Sequence, residues 1–305
     1  MMSVAYNGKE ASMSAKPIVA ATDGSEESLR AVDWAAREAV LRGAPLRIVS
    51  AAALLPRMIG GHAMSGYDSV ADTIRKHRDQ ALAAATERAT QAAPGLLIDA
   101  DPLEGSPAEA VTDAGSGALM LVVGSRGNSA FAALVLGSVS RYVATHAACP
   151  VVVVREETGT AHRQVGVGVG DLEDPTSALE FAFEEAALRQ ASLVVIHAWH
   201  TPQLDISRAG YAPAEPAAYV FQTEAARELE RLLDNWREKY PGVTVSQDVV
   251  HGHPGRALAG LSARADLVVL GRHAAHHGPG AVIHAVLNHA HGPVVTVPSA
   301  PSAAG

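Results

Sequence analysis

The chain has 305 residues, 48% of them hydrophobic and only 4% aromatic, which is enough apolar material for two cores built mainly of Ala, Val and Leu. Its formal net charge of −8 offers no basic surplus for a phosphate backbone, so nucleic acid is not an expected partner. Cys149 is the single cysteine, which excludes an intrachain disulfide framework or a multi-cysteine metal site, and no run of about 18 apolar residues announces a membrane helix; a cytoplasmic protein with no membrane partner is expected.

The first sixteen residues are small and polar and read as a loose tail without the apolar stretch of a secretory signal. Pro17–Thr22 reads as a buried strand, and Asp23–Ser28 as a turn and helix start carrying early acidic residues, where the helix dipole favours them. Leu29, Val32, Ala36 and Ala39 follow at helical spacing, and Gly43 stands where that helix ends. Leu46–Ala51 is a second strand, parallel to the first because a helix crosses between them. A loop over Arg57–Asp72, a long helix over Thr73–Ala92 and a strand over Leu97–Asp101 come next. Gly105–Val111 opens another helix, Leu119–Gly124 is a continuously apolar strand, and a helix from about Gly137 to His146 leads to the strand Val151–Val154.

This order of strands and helices then recurs. Trp34, Gly105, Pro107 and Gly124 reappear as Phe181, Gly252, Pro254 and Gly271, each 147 positions later, so the chain reads as a duplicated domain. The copy includes a helix around Thr176–Gln190, a Pro-rich loop over Thr201–Pro216, a helix to Tyr240, another near Gly255–Ala263, and a final strand Val294–Val297. The expected fold class is α/β, with two tandem doubly wound parallel five-stranded sheets over residues 17–156 and 163–298. A polar linker near Glu156–Arg163 joins them, and a tail follows over residues 299–305. The Val-rich final strands of the two copies carry few charges to discourage pairing, so an intrachain pseudo-dimer is expected.

The chemistry concentrates after the fourth strand of the first copy, in Gly124-Ser-Arg-Gly127, nine further residues, and Gly137-Ser138, a G-x2-G-x9-G-S pattern. Glycines at the carboxyl end of a strand let main-chain N–H groups approach phosphate oxygens with no Cβ in the way. Gly137 and Ser138 open a helix whose first N–H groups lack partners and whose dipole favours an anion. Read singly, the same residues could serve only as a tight turn and a helix cap.

In a domain that begins strand-Asp-Gly-Ser, this motif resembles the ATP-binding subgroup of the universal stress protein family, over nearly the whole chain. The resemblance implies an adenine-nucleotide α-hydrolase-like, Rossmann-like fold and ATP as ligand, with or without magnesium. Residue by residue it puts Gly124, Gly127, Gly137 and Ser138 on the phosphates, with Ser125, Arg126 and Val139 beside them. It also puts Asp23 near the nucleoside, the Ala51 main chain by the adenine and Gly105 near the ribose. Asp23 has a second reading as a turn or capping residue, and Arg126 as a solvent-facing one.

Under the same 147-residue offset the second copy departs from the motif: Gly271 persists, but Asp23, Gly127 and Gly137-Ser138 become Gly170, Ala274 and His284-Ala285. Asp171 could replace Asp23 only if the turn slips by one residue. This copy is expected to bind nucleotide weakly or not at all. The glycines of Val165–Gly170 (VGVGVG) do not make a dinucleotide fingerprint, because they fall in the strand and the third is displaced by one. His251, His253, His273, His276, His277, His284, His289 and His291 crowd the later part of this copy, either as solvated loop residues or as a metal or pH-sensitive patch.

The favoured function is an ATP-binding stress-response regulator, not an enzyme, in which occupancy changes conformation or partner binding. The alternatives are a weak ATPase or adenylate-handling enzyme of the adenine-nucleotide α-hydrolase group, and a nucleotide-free scaffold. A homodimer through the final strands or the domain faces is the oligomer that the family resemblance implies.

Overall fold

A computed structural model describes residues 15–53, 58–59, 62–63, 67–127, 136–155, 161–170, 176–199, 215–272 and 280–299. Most of both tails, part of the Arg57–Asp72 loop, the greater part of the Thr201–Pro216 loop, part of the linker, and Asp171, His273, Ala274, His276 and His277 lie outside the described residues. The chain divides after Arg155 into two compact units.

The first unit runs β1 (Ile18–Ala21), α1 (Glu26–Arg42), β2 (Leu46–Ala52), the two-residue strands β3 (Met58–Ile59) and β4 (His62–Ala63), and α2 (Tyr67–Ala92). It continues with β5 (Ile98–Glu104), α3 (Pro107–Ala114), β6 (Met120–Gly124), α4 (Ser138–His146) and β7 (Val151–Val154). Its five long strands are all parallel, in the spatial order β5-β2-β1-β6-β7. Parallel crossovers are right-handed, so α1 and α2 cover one face and α3 and α4 the other, and α1 packs on α2 as α3 does on α4. With both faces covered, β1, β6 and β7 are apolar runs: Ile18, Val19, Leu121, Val122 and Val151–Val153 are fully buried.

Local chemistry fixes the helix ends. Ser25 caps α1, its hydroxyl accepting from the Ser28 N–H at 3.3 Å, and Glu26 and Glu27 occupy the first turn. Gly43 closes that helix in the left-handed region at φ 62°. One boundary differs from expectation: α2 begins at Tyr67, six residues before Thr73, so the stretch from Arg57 to Asp72 holds a short antiparallel strand pair and the first turns of a helix. Among the described side chains of those turns the buried residue is the small Ala71, whereas Val70 is 46% exposed, so the apolar face there is weak.

The second unit repeats the plan with β8 (Gln164–Val169), α5 (Thr176–Arg189), β9 (Ser192–Trp199), α6 (Glu215–Lys239) and β10 (Val245–His251). It ends with α7 (Pro254–Leu261), β11 (Leu267–Arg272), α8 (Ala281–His289) and β12 (Val294–Pro298), in the order β10-β9-β8-β11-β12. Ile18 pairs with Leu46 and Met120 just as Val165 pairs with Leu193 and Leu267, which keeps the 147-residue offset through four strands. The offset then fails. Leu121 pairs with Val151 but Val268 with Val294, so from the last helix onward the copies differ by 143 positions and the connection from β11 to α8 is four residues shorter than that from β6 to α4. Packing has also diverged: Ala36, Ala89 and Ala93 correspond to Phe183, Trp236 and Tyr240, which form a stacked cluster with centroids 5.4–6.4 Å apart.

Candidate functional site

In the first unit the strand order reverses between β1 and β6, since the chain steps from β1 outward to β5 and then returns to β6. Ligands of doubly wound sheets bind at such a switch point, outside the carboxyl ends of the strands. A cleft of about 200 Å³ opens there.

One wall is the turn after β1. The Asp23 carboxylate accepts through Oδ1 from the Ser25 N–H at 3.0 Å and the Ser25 hydroxyl at 2.5 Å, an Asx turn that aims it while Ser25 caps α1. The Ser28 hydroxyl donates to the Ser25 carbonyl at 2.8 Å and lies 3.0 Å from the Thr22 hydroxyl, and Thr22 Oγ1 accepts from the Gly24 N–H at 3.1 Å. Thr22, Asp23 and Ser28 all line the cleft. Asp23 is thus a turn residue that also lines the cleft.

The opposite wall is the loop from β6 into α4. Gly124 is required by contact with α1: a Cβ there would stand 2.8 Å from the Glu27 carbonyl oxygen and 3.0 Å from the Ser28 nitrogen. The Asp23 side chain lies against Gly127, where an added Cβ would come within 2.4 Å of its Oδ2. The Gly137 N–H donates to the Ser125 carbonyl at 2.9 Å and the Ser140 hydroxyl to the Gly124 carbonyl at 2.6 Å, which pins the start of α4 to the end of β6. The first intrahelical bond of α4 runs from the Arg141 N–H to the Gly137 carbonyl, so the N–H groups of Ser138, Val139 and Ser140 have no partner within the helix. Arg126, half-buried on the same wall, adds a guanidinium. Together these groups make a small cavity of main-chain donors, hydroxyls and one cation, suited to an anion.

Of the residues singled out from sequence, Asp23, Ala51, Gly124, Arg126, Gly127, Gly137, Ser138 and Val139 line this cleft. Ser125 and Gly105 are not among its lining residues. Ser125 is buried beneath the loop as a latch, its N–H bonded to the Val154 carbonyl at 2.9 Å and its own carbonyl to Gly137. Gly105 turns the chain out of β5 at φ 112° and donates to the Ala52 carbonyl at 3.3 Å. Thr22, Ser28 and Ser140 carry no sequence signal of their own, because a single hydroxyl at the end of a strand or in the first turn of a helix has no spacing signature.

A sequence model of the universal stress protein family matches residues 14–155 and again residues 162–298. The chain belongs to the universal stress protein family. Universal stress protein Rv1996 of Mycobacterium tuberculosis is 34% identical over 302 residues, covering 91% of this chain and 93% of that protein. A universal stress protein of Mycolicibacterium smegmatis is 33% identical over 263 residues, covering 84% of this chain and 86% of its own. The crystal structure of a universal stress protein from Archaeoglobus fulgidus shares the fold with a TM-score of 0.64 at 18% identity, over 93% of this chain and 99% of that one.

The second universal stress protein unit has replaced the cleft chemistry, though not at the positions the constant offset named. The counterpart of Gly137 is Gly280, which caps α8, and that of Ser138 is Ala281, since α8 starts there; His284 and Ala285 lie within the helix. The capping glycine is thus retained and the hydroxyl lost. Val169 stands for Thr22, Gly170 for Asp23, and buried Ile283 for Ser140. Leu258, in the place of Val111 on the cleft wall, lies on the backbone of β8, where a Cβ on Gly168 would meet its Cδ1 at 2.7 Å. Among the described residues no three His, Cys, Asp or Glu side chains are grouped to hold a metal ion, and the His253 ring instead caps α7 by accepting from the Gly255 N–H at 3.2 Å. No helix among the described residues is long and apolar enough to cross a membrane.

Proposed function

We propose that the first unit binds ATP, and that occupancy of this cleft makes the protein a nucleotide-responsive stress regulator of the cytoplasm, with no dedicated catalytic step. The observation that carries this reading is the meeting of the Gly124–Gly127 turn, the open first turn of α4 and the Asp23 turn at the switch point of one sheet. Gly124, Gly127, Gly137 and Ser138 would hold the phosphates through main-chain N–H groups and one hydroxyl, with Arg126 as counter-charge. The main chain at Ala51, on the far side of Asp23, would face the base. Magnesium would arrive bound to the phosphates, since the described residues group no set of ligands for it. Among the described lining residues Asp23 is the one carboxylate, so they present no carboxylate pair for acid–base chemistry, which supports a binding role. Membership of the family supports the regulatory part of the reading, and a homodimer belongs to the same proposal.

The test is to denature the natively purified protein and identify the released small molecule by chromatography, alongside the shift in melting temperature on adding ATP. A ligand that binds only the folded form raises stability by RT ln(1 + [L]/Kd), about 2.7 kcal/mol at a hundredfold excess over Kd. Gly127→Glu, which fills the loop and repels phosphate, abolishes that shift. A wild-type protein that releases no nucleotide and does not respond to ATP refutes the reading.

A further inference from the structure

β5 and β10 are edge strands of their units, and among the described residues no strand pairs with their outer sides. Leu46 pairs with Ile98 as Leu193 does with Val245, so the two edges correspond residue for residue at the offset of 147. The Leu193 N–H donates to the Thr244 carbonyl at 2.9 Å, which turns the main-chain N–H and C=O of Val245, Gln247 and Val249 away from β9, toward the open edge. In β5 that edge is guarded. Pro102, at the position of Val249, has no N–H to offer, and Asp99 and Asp101 flank Ala100; proline and charge are the usual protection of an exposed strand. β10 has lost Pro102 to Val249 and Asp99 to Ser246. Beside these open groups the Gln247 Oε1 is buried with no hydrogen-bond partner, an acceptor that calls for a donor from outside the unit.

We infer that β10 is a self-association edge, to which a second copy of this chain adds its own β10 antiparallel about a two-fold axis at Gln247. The inference rests on the homodimer of the proposed function and gives it a surface. In this register the two Gln247 residues stand opposite each other and exchange main-chain hydrogen bonds, and each side-chain amide lies within reach of the other's Oε1. Val245 faces Val249 and Ser246 faces Asp248, so apolar meets apolar and a hydroxyl meets a carboxylate. Moving the axis to Asp248 would instead set two carboxylates against each other. The equivalent pairing of β5 would oppose Asp99 and Asp101 and lack the Pro102 donor, which leaves β10 as the edge fit for a second copy. The Gln222 amide donates to the Val249 carbonyl at 3.2 Å, and a carbonyl with two lone pairs accepts a strand bond as well.

Val249→Pro and Ser246→Asp restore the two guards of the first unit. Val249 turns its N–H to the open edge and Ser246 is exposed, so neither change touches the ladder to β9. Sedimentation velocity of the full chain over a concentration series, without nucleotide, reads the association of wild type and both variants. The expected result is a reversible wild-type dimer whose dissociation constant rises about tenfold or more in each variant, through lost strand bonds in one and opposed carboxylates in the other, with melting midpoints close to wild type. A wild-type dimer that neither variant weakens overturns this edge and leaves the homodimer to another surface. A wild type that stays monomeric at every concentration overturns both. Should Val249→Pro melt abnormally, Ser246→Asp decides alone. The ATP-induced melting shift, measured on the same samples, stands or falls separately.

Discussion

The glycines of the connection from β6 to α4 have different physical reasons, and substituting them separates those reasons. In Gly124→Ala the new methyl would stand 2.8 Å from the Glu27 carbonyl oxygen and 2.9 Å from its carbonyl carbon, both backbone atoms of the first turn of α1. No rotamer relieves such a contact, so α1 or β6 must shift, at the overpacking cost of about 1–3 kcal/mol. In Gly137→Ala the nearest atoms are 3.6 Å away and the backbone, at φ −60° and ψ 150°, suits any residue, so only the preference for glycine over alanine at an N-cap is lost, at most about 1 kcal/mol. Trp34 is buried on α1 and is the single tryptophan of the first unit, beside Trp199 and Trp236 in the second. In a Trp199→Phe, Trp236→Phe background its fluorescence reports melting of the first unit alone. Gly124→Ala should lower that midpoint by roughly 2–12 °C and Gly137→Ala by a few degrees at most, on the size scaling for a unit of this length. Equal shifts, or a Gly124→Ala protein as stable as its parent, would refute the assignment of Gly124 to helix packing.

Two further predictions concern the second unit. Gln190 occupies the helix-ending position of Gly43 and takes φ 50° without being glycine, so Gln190→Gly should raise stability by about 0.5–1 kcal/mol, the cost of the left-handed region less the entropy glycine loses, as measured by urea denaturation. Gly168→Ala should cost about 1–2 kcal/mol because its methyl meets buried Leu258, whereas the pair Gly168→Ala with Leu258→Val, which restores the Ala21 and Val111 combination of the first unit, should recover much of it. Additive effects in that double-mutant cycle would show that the two positions do not compensate each other.

Much of the fold was legible because its signals are local and repeated. Continuously apolar runs such as Met120–Gly124 and Val151–Val154 could only be strands buried on both faces, and Ser25 and Gly43 bracket α1 by capping chemistry alone. The start of α2 escaped because the residue it buries in the described part of its first turns is the small Ala71, while Val70 faces solvent, so the hydrophobic signal is weak at that end of the helix. The break in the 147-residue offset escaped for a different reason. A deletion inside a loop leaves every flanking pattern intact, and only strand pairing, Leu121 with Val151 against Val268 with Val294, reveals that four residues have gone.

At the candidate site, glycine spacing located the loop but not the reason for each glycine. Gly124 answers to the backbone of α1 and Gly127 to the carboxylate of Asp23, contacts between residues about a hundred positions apart that no spacing records. The same distances make sense of the second unit. By sequence, Thr22, Asp23, Ser25 and Ser28 give way to Val169, Gly170, Leu172 and Pro175, so the hydroxyl and carboxylate side chains that shape the first cleft are not repeated at these positions. Leu258 and Leu261 then press on the glycines of β8, where added Cβ atoms at Gly168 and Gly166 would come within 2.7 and 2.3 Å of them. The run Val165–Gly170 that imitates a dinucleotide fingerprint is therefore a packing device: its glycines at 166 and 168 make room for two leucines, where the first unit has Val19 and Ala21 against smaller neighbours. Restoring a motif residue alone to this unit would leave Leu258 on the cleft wall, so nucleotide binding there requires the apolar wall to be reversed along with the loop.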